Sequence, residues 1–505
     1  MRFLSLLSGS AVVMVMAAAP LSAETLRDAL IKAYTSNPTL AAQRASLRAI
    51  DENVPIARSQ ALPNVQLQSA FTENVIKAQN SFVAPDRSGT ASASISVPLY
   101  AGGAVRNGIR AAQTRVEGGQ MGLRGTESDL FSAVVGAYMD VIRDEAIVGL
   151  NTQNVRVLDV NLQASRDRFQ VGDLTRTDVA QSEARLALAQ SQLQSAQARL
   201  ISSRESYIRL VGAVPGRLDL PPSLPNLPAN PDGAVTVALR NNPTLLAAAK
   251  ERDATGFDIG VARANRLPRI NANVGGNYYN YLGTLGSGTG VAIAQAGTAA
   301  TVGLGLTLPL YQGGRPAAQI RQAQDARAQS IERVTETERS VIAQARSAYA
   351  VWKSSLDVIA SSEVAVNANK LSLEGVRAEN SVGNRTILDI LNAEQELLNS
   401  QVTLVTARRD AYVAGFALLA SMGQAEARDL GLDGGPLYDP VKHYESVRGK
   451  IWDFASQPDP AVTGTRTTDT PAQTAAVTRA LDPMLDSRPV DRSAQITAGE
   501  QTKNR

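Results

Sequence analysis

The chain is written twice, and a fold built from it must use each copy the same way. "NPTL" stands at Asn37–Leu40 and again at Asn242–Leu245. "ARSQALPNVQLQ" from Ala57 is matched by "ARANRLPRINAN" from Ala262 at the same offset. "VPLYAGG" from Val97 then matches "LPLYQGG" from Leu308, six positions further out of step. The new offset persists through Val171 and Val382, Asp178 and Asp389, and the closing glycines Gly212 and Gly423. Only the stretch between the two prolines of each copy has changed length, as an exposed loop tolerates. Self-similarity on this scale marks a chain that repeats one supersecondary unit.

Each copy lays out the same parts. A short helix ends at Asn-Pro, because proline disfavours helix in the residue before it. A helix of about twenty residues follows, over 40–60 and 245–266. Two strands come next, about 64–75 and 88–100 in the first copy, 269–281 and 299–310 in the second. A long helix then runs about 104–170 or 315–381 into a tip, 171–176 or 382–386, and a return helix, 177–212 or 387–422. The copies span 24–216 and 231–427, joined by a proline-rich bridge, 217–230.

The strand runs alternate. Val65, Leu67 and Phe71 share one face, with Asn64, Gln66, Gln68 and Thr72 on the other. Val302, Leu304 and Leu306 alternate with Thr301, Gly303 and Gly305. Runs of about ten residues, apolar on one side and small or uncharged on the other, suit strands of a transmembrane barrel. A soluble sheet over a core shows the same alternation. Four strands close no barrel, since about eight are needed, so strands that cross a bilayer here require several chains to share one barrel. In the long helices, apolar residues recur every seven: Val134, Val141, Val148, Val155, Leu162, Phe169, and again Trp352, Ile359, Val366, Leu373. Sustained heptads of that length predict antiparallel coiled-coil hairpins, roughly 100 Å long at 1.5 Å per residue.

The opening segment, 1–23, reads as a signal peptide. Arg2 precedes an apolar run, and small residues end it at Ala23, so cleavage is expected between Ala23 and Glu24. With Cys 0 and His 1, thiol nucleophiles, zinc–thiolate sites and multi-histidine metal clusters are excluded. Lys+Arg 50 against Asp+Glu 47 is near balance and forms no basic block, which argues against nucleic acid. No enzyme, no cofactor and no metal site is expected. After an equatorial segment, 428–454, the chain has no aromatics, and 455–505 reads as a disordered periplasmic tail.

With "PLYxGG", the twin "VGxxT" tips and the ending "LYDPVKHYESVRGKIWDF" in this order, the sequence resembles the TolC family of outer-membrane efflux and type I secretion channels over about Glu24 to Asp453. The resemblance implies an α+β membrane protein: a homotrimer whose twelve strands close one outer-membrane β-barrel, continued by a periplasmic α-barrel of twelve helices. It implies a passive conduit, a periplasmic adaptor (membrane fusion protein) docking at the hairpin tips, and an inner-membrane ABC or proton-driven pump that supplies the energy. The ending leans towards members that serve type I protein secretion as well as efflux. A periplasmic coiled-coil adaptor or a structural envelope protein is the alternative, although an adaptor usually shows one hairpin and its own anchor.

The tips carry the candidate site. Val171, Gly172, Asp173 and Leu174 form one, and Val382, Gly383 and Asn384 the other, both expected to face the adaptor. Thr175 with Asp178, and Thr386 with Asp389, have the spacing of capping boxes. In the family, an arginine and acidic residues of the second tip lock and line the entrance. The resemblance therefore assigns Asp389 to an acidic ring at the pore mouth, and Arg385 with Asp178 to an entrance lock. Asn392 and Asn380 depart from that pattern, which points to a single-layer ring and a weaker lock.

Overall fold

The computed structural model describes residues 23–76, 84–286, 293–432 and 437–485. The expected signal segment, apart from Ala23, lies outside them, as do 433–436 of the equatorial segment and 486–505 of the tail. In the first copy α1 (Leu26–Ser36), α2 (Pro38–Asp51) and α3 (Asn53–Ser59) lead into strands β1 (Asn64–Glu73) and β2 (Arg87–Ala101). These are followed by α4 (Ala104–Gln170) and α5 (Arg176–Val211). The second copy gives α6 (Pro231–Asn241), α7 (Pro243–Ala264), β3 (Arg269–Asn280), β4 (Ala296–Thr307), α8 (Arg315–Ser381) and α9 (Ile387–Ser421). A last helix, α10 (Pro440–Val447), packs on α2.

One expected helix divides. The segment read as 40–60 breaks after Asp51 into α2 and α3, whereas α7 is continuous over 22 residues. Pro55 is the cause: it has no N–H to give the Asp51 carbonyl one turn back, and the second copy has no proline there. His443 reaches this break, its Nδ1 lying 2.8 Å from Asp51 Oδ2. That contact pins α10 to the end of α2.

The four strands form one antiparallel sheet in chain order. Its register lines up Val65, Ile95, Val274 and Val302 in one row and Leu67, Ala93, Gly276 and Ala300 in another. Apolar residues therefore share one continuous face across both copies. No helical core covers that face: Leu67 is 79% exposed and Val302 83%. The soluble-sheet reading needs such a core, and the described residues do not supply one. Among the described residues no helix is long and apolar enough to cross a membrane.

The core sits at mid-height. There α1 (Leu30, Ala33), the middle of α4 (Phe131, Val134, Tyr138), the end of α5 (Tyr207, Val211), α6 (Ala234, Ala238) and α9 (Phe416, Leu418) meet. The Asn-Pro pairs are built into it by the same device twice. Asn37 Oδ1 accepts from the Thr39 amide at 2.8 Å, while its Nδ2 donates to the Leu210 carbonyl of α5 at 2.8 Å. Asn242 accepts from Thr244 at 3.0 Å and donates to Ser421 of α9 at 3.0 Å. Each asparagine thus caps one helix and ends another. Gly423 completes the second junction at φ +69, where a Cβ would lie 2.4 Å from the Asn241 carbonyl oxygen; no other residue fits.

Below the core, α4 pairs with α5 and α8 with α9. The heptad residues Val134, Val141, Val148 and Leu162 are buried on α4, and Val366 and Leu373 on α8, while Phe169 is exposed beside the tip. The tail departs from expectation. Residues 455–485 carry no helix or strand, yet the stretch 464–485 packs against the hairpins rather than hanging free. Leu481 and Leu485 supply apolar knobs that the polar composition of the segment hides.

Candidate functional site at the hairpin tips

Each tip ends one helix and starts the next within five residues. Gly172 and Gly383 take φ of 86 and 82, the left-handed geometry that stops a helix. The next amides close the turn: Asp173 N donates to Arg168 O and Asn384 N to Glu379 O, each at 2.9 Å. Thr175 and Thr386 then cap the returning helices. Each threonine amide donates to the following aspartate's Oδ2 at 2.9 Å, and the aspartate amide donates back to the threonine Oγ1 at 3.3 Å. Both capping boxes are complete. The same hydrogen bonds favour the charged carboxylates. The Thr386 hydroxyl, then its amide, holds the Asp389 carboxyl below its ordinary value, and the Thr175 amide and hydroxyl do the same for Asp178.

The expected pairing of Arg385 with Asp178 is not made within the chain. Arg385 Nε donates to Glu379 Oε2 at 2.7 Å, at the end of its own hairpin's first helix. The charges that act on it are those of Glu379 and Asp389. Asp178 stays in its own cap. A carboxylate six residues back across a tight turn is closer to hand than one on the other hairpin.

A different link joins the hairpins. Arg185 Nη2 of α5 donates to Asn392 Oδ1 of α9 at 2.7 Å. Beside it Leu391, 1% exposed, enters the seam formed by Leu158, Leu162, Leu186 and Ala189 of the first hairpin. One turn further along α9, the buried Glu394 accepts from Arg377 of α8, and burial raises its carboxyl above the ordinary value. Sequence reading missed both pairs. The signal available for Leu391 was an apolar residue facing away from its own hairpin's heptad stripe. Val171 and Val382 remain 78% and 70% exposed at the extremities. Asp173 lies 3.7 Å from Arg168. Glu24, the expected first residue after cleavage, is far from the tips: its carboxylate accepts from Lys32 at 2.7 Å and Tyr207 at 2.9 Å beside the mid-height core.

Comparison with known proteins agrees with this architecture. The outer membrane efflux protein family model matches residues 30–213 and 234–424, one block per copy. The chain is 33% identical over 436 residues to the outer membrane efflux protein BepC of Brucella suis, covering 86% of this chain and 93% of that protein. It is 25% identical to the outer membrane protein TolC of Vibrio cholerae, over 81% of this chain and 92% of that one. The crystal structure of CusC shares the fold at a TM-score of 0.69 and 18% identity, covering 79% of this chain and 92% of that one. The protein lies in the outer membrane with a large periplasmic portion. The chain belongs to the outer membrane efflux protein family, the family of TolC.

Proposed function

We propose that the chain is one third of a passive conduit: three copies close a twelve-stranded barrel in the outer membrane and a tube of twelve helices in the periplasm. The observation that carries this is the sheet. Four strands leave β1 and β4 with unpaired edges, and both faces are open. In lipid, each unsatisfied backbone group costs several kcal/mol, so the edges must find one another across copies. The second copy points the same way, because α8 is largely uncovered, with Val351, Val364 and Leu371 54%, 69% and 71% exposed.

The conduit has no energy source of its own. A periplasmic adaptor docks at the tips, where Val171 and Val382 are exposed, and an inner-membrane pump drives export of small molecules or polypeptides. At the mouth, Asp389 from each copy forms an acidic ring. The Arg185–Asn392 link, in place of the expected Arg385–Asp178 lock, holds the two hairpins of a protomer together. Signal peptide removal between Ala23 and Glu24 precedes assembly. Extraction from outer-membrane fractions, native mass spectrometry and planar-bilayer recording test the assembly: three chains and a conducting pore are expected. A water-soluble single chain that never conducts would overturn it.

A further inference from the structure

We propose that residues 464–485 are a strap that ties the second hairpin to the first above the tips and limits how far the two part. The proposal rests on the protomer alone and stands apart from the transport reading. The strap starts at mid-height, where Thr465 N donates to Ser36 O at 3.1 Å, and descends across both hairpins. On the first, Gln473 N donates to Glu205 Oε1 at 3.3 Å. Arg204 of α5 gives its two ends to the Thr474 and Ala476 carbonyls at 2.6 and 2.7 Å. Arg204 is also paired with Glu145 of α4, which accepts from Thr478 Oγ1 at 2.9 Å. On the second, Arg408 Nη1 of α9 meets Asp482 at 2.9 Å, Lys370 of α8 donates to the Met484 carbonyl, and Gln401 of α9 donates to the Leu485 carbonyl at 2.8 Å.

Two features distinguish a built seat from casual adhesion. Arg204 and Gln401 are 6% and 3% exposed, and both direct donors at strap carbonyls. Without the strap Arg204 keeps Glu145 but loses both carbonyls, and Gln401 loses the Leu485 carbonyl, so water must replace three protein hydrogen bonds. The apolar contacts are equally specific. Leu485, 3% exposed, is set among Leu150 of α4, Val366 of α8 and Leu404 of α9. Leu481 occupies the space over Gly149, where a Cβ would come 3.0 Å from its Cδ2. One side chain thus packs on helices of both hairpins at once.

Because the chain has Cys 0, a single engineered disulfide tests the seat. Oxidation of the Gly149→Cys/Leu481→Cys variant should give an intrachain disulfide, since a Cβ at 149 would lie within 3.2 Å of the Leu481 Cγ and a sulfur at 481 would replace that atom. In hydrogen exchange on the detergent-extracted protein, a chain ending at Val462 should exchange amides of 145–154 and 397–408 at least tenfold faster than the full chain, with 130–142 unchanged. The oxidised variant should exchange those segments no faster than the full chain, and reduction should speed them. Exchange within twofold for the truncated and full chains, or failure of the disulfide to form, would overturn the strap. Should the truncated chain fail to fold, the oxidised and reduced forms decide alone. Neither readout depends on whether the protein conducts.

Discussion

Thr386 and Asp389 serve each other before they serve a pore. The threonine caps α9 and the carboxylate returns the bond, so Thr386→Ala should cost about 1 kcal/mol of local helix stability, read as faster amide exchange in the first turn of α9 with the α8–α9 seam unchanged. The pH dependence has a definite sign. The folded Asp389 carboxyl lies below its ordinary value of 3.8, so its contribution is present above 3.8 and is lost as pH falls through the lower folded value. The Thr386 amide resonance should titrate with a midpoint under 3.8; a midpoint at or above it would remove the cap's share. These caps were legible because a capping box is a matter of spacing. The partner of Arg385 was not. A long side chain on a tight turn chooses among carboxylates by reach, and the sequence does not say that Glu379 lies nearer than Asp178.

At the scale of elements, the duplication and the heptads carry nearly everything. Runs bounded by glycine, with no proline beyond the first turn, give helices close to the observed limits, because tip and cap chemistry is local. The break of the 40–60 helix was written in Pro55 and went unread, since the matching helix of the second copy is unbroken. The strap was hidden for another reason: a segment without aromatics reads as solvated, and two leucines suffice once the groove offers buried donors. The coupling of one hairpin to the other left only a weak signal, because Leu391 of α9 joins Leu158 and Leu162 of α4 and Leu186 of α5 rather than the apolar cluster of its own hairpin. That coupling is testable. Leu391→Ala should cost about 2–5 kcal/mol, whereas Val382→Ala, at an exposed tip position, should cost little. Thermal unfolding of the two variants separates them; equal melting temperatures would mean that the Leu391 seam does not hold the hairpins.

For the whole molecule the question is whether Asp389 acts beyond its cap, and two substitutions divide the roles. Asp389→Asn keeps an oxygen to accept from the Thr386 amide and removes the charge, while Thr386→Ala weakens the cap and keeps the charge. A ring of three carboxylates at a narrow mouth attracts cations and repels anions. In a reconstituted channel, Asp389→Asn should therefore lower the cation-to-anion permeability ratio severalfold, and Thr386→Ala should leave it near that of the unaltered protein. The difference should shrink from 0.1 M to 1 M salt, as the screening length falls from about 10 Å to about 3 Å. It exists only in the assembly, since one exposed carboxylate on one chain has nothing to focus. Identical reversal potentials for Asp389→Asn and the unaltered channel at low salt would leave the aspartate a helix cap and place the selectivity of the mouth elsewhere.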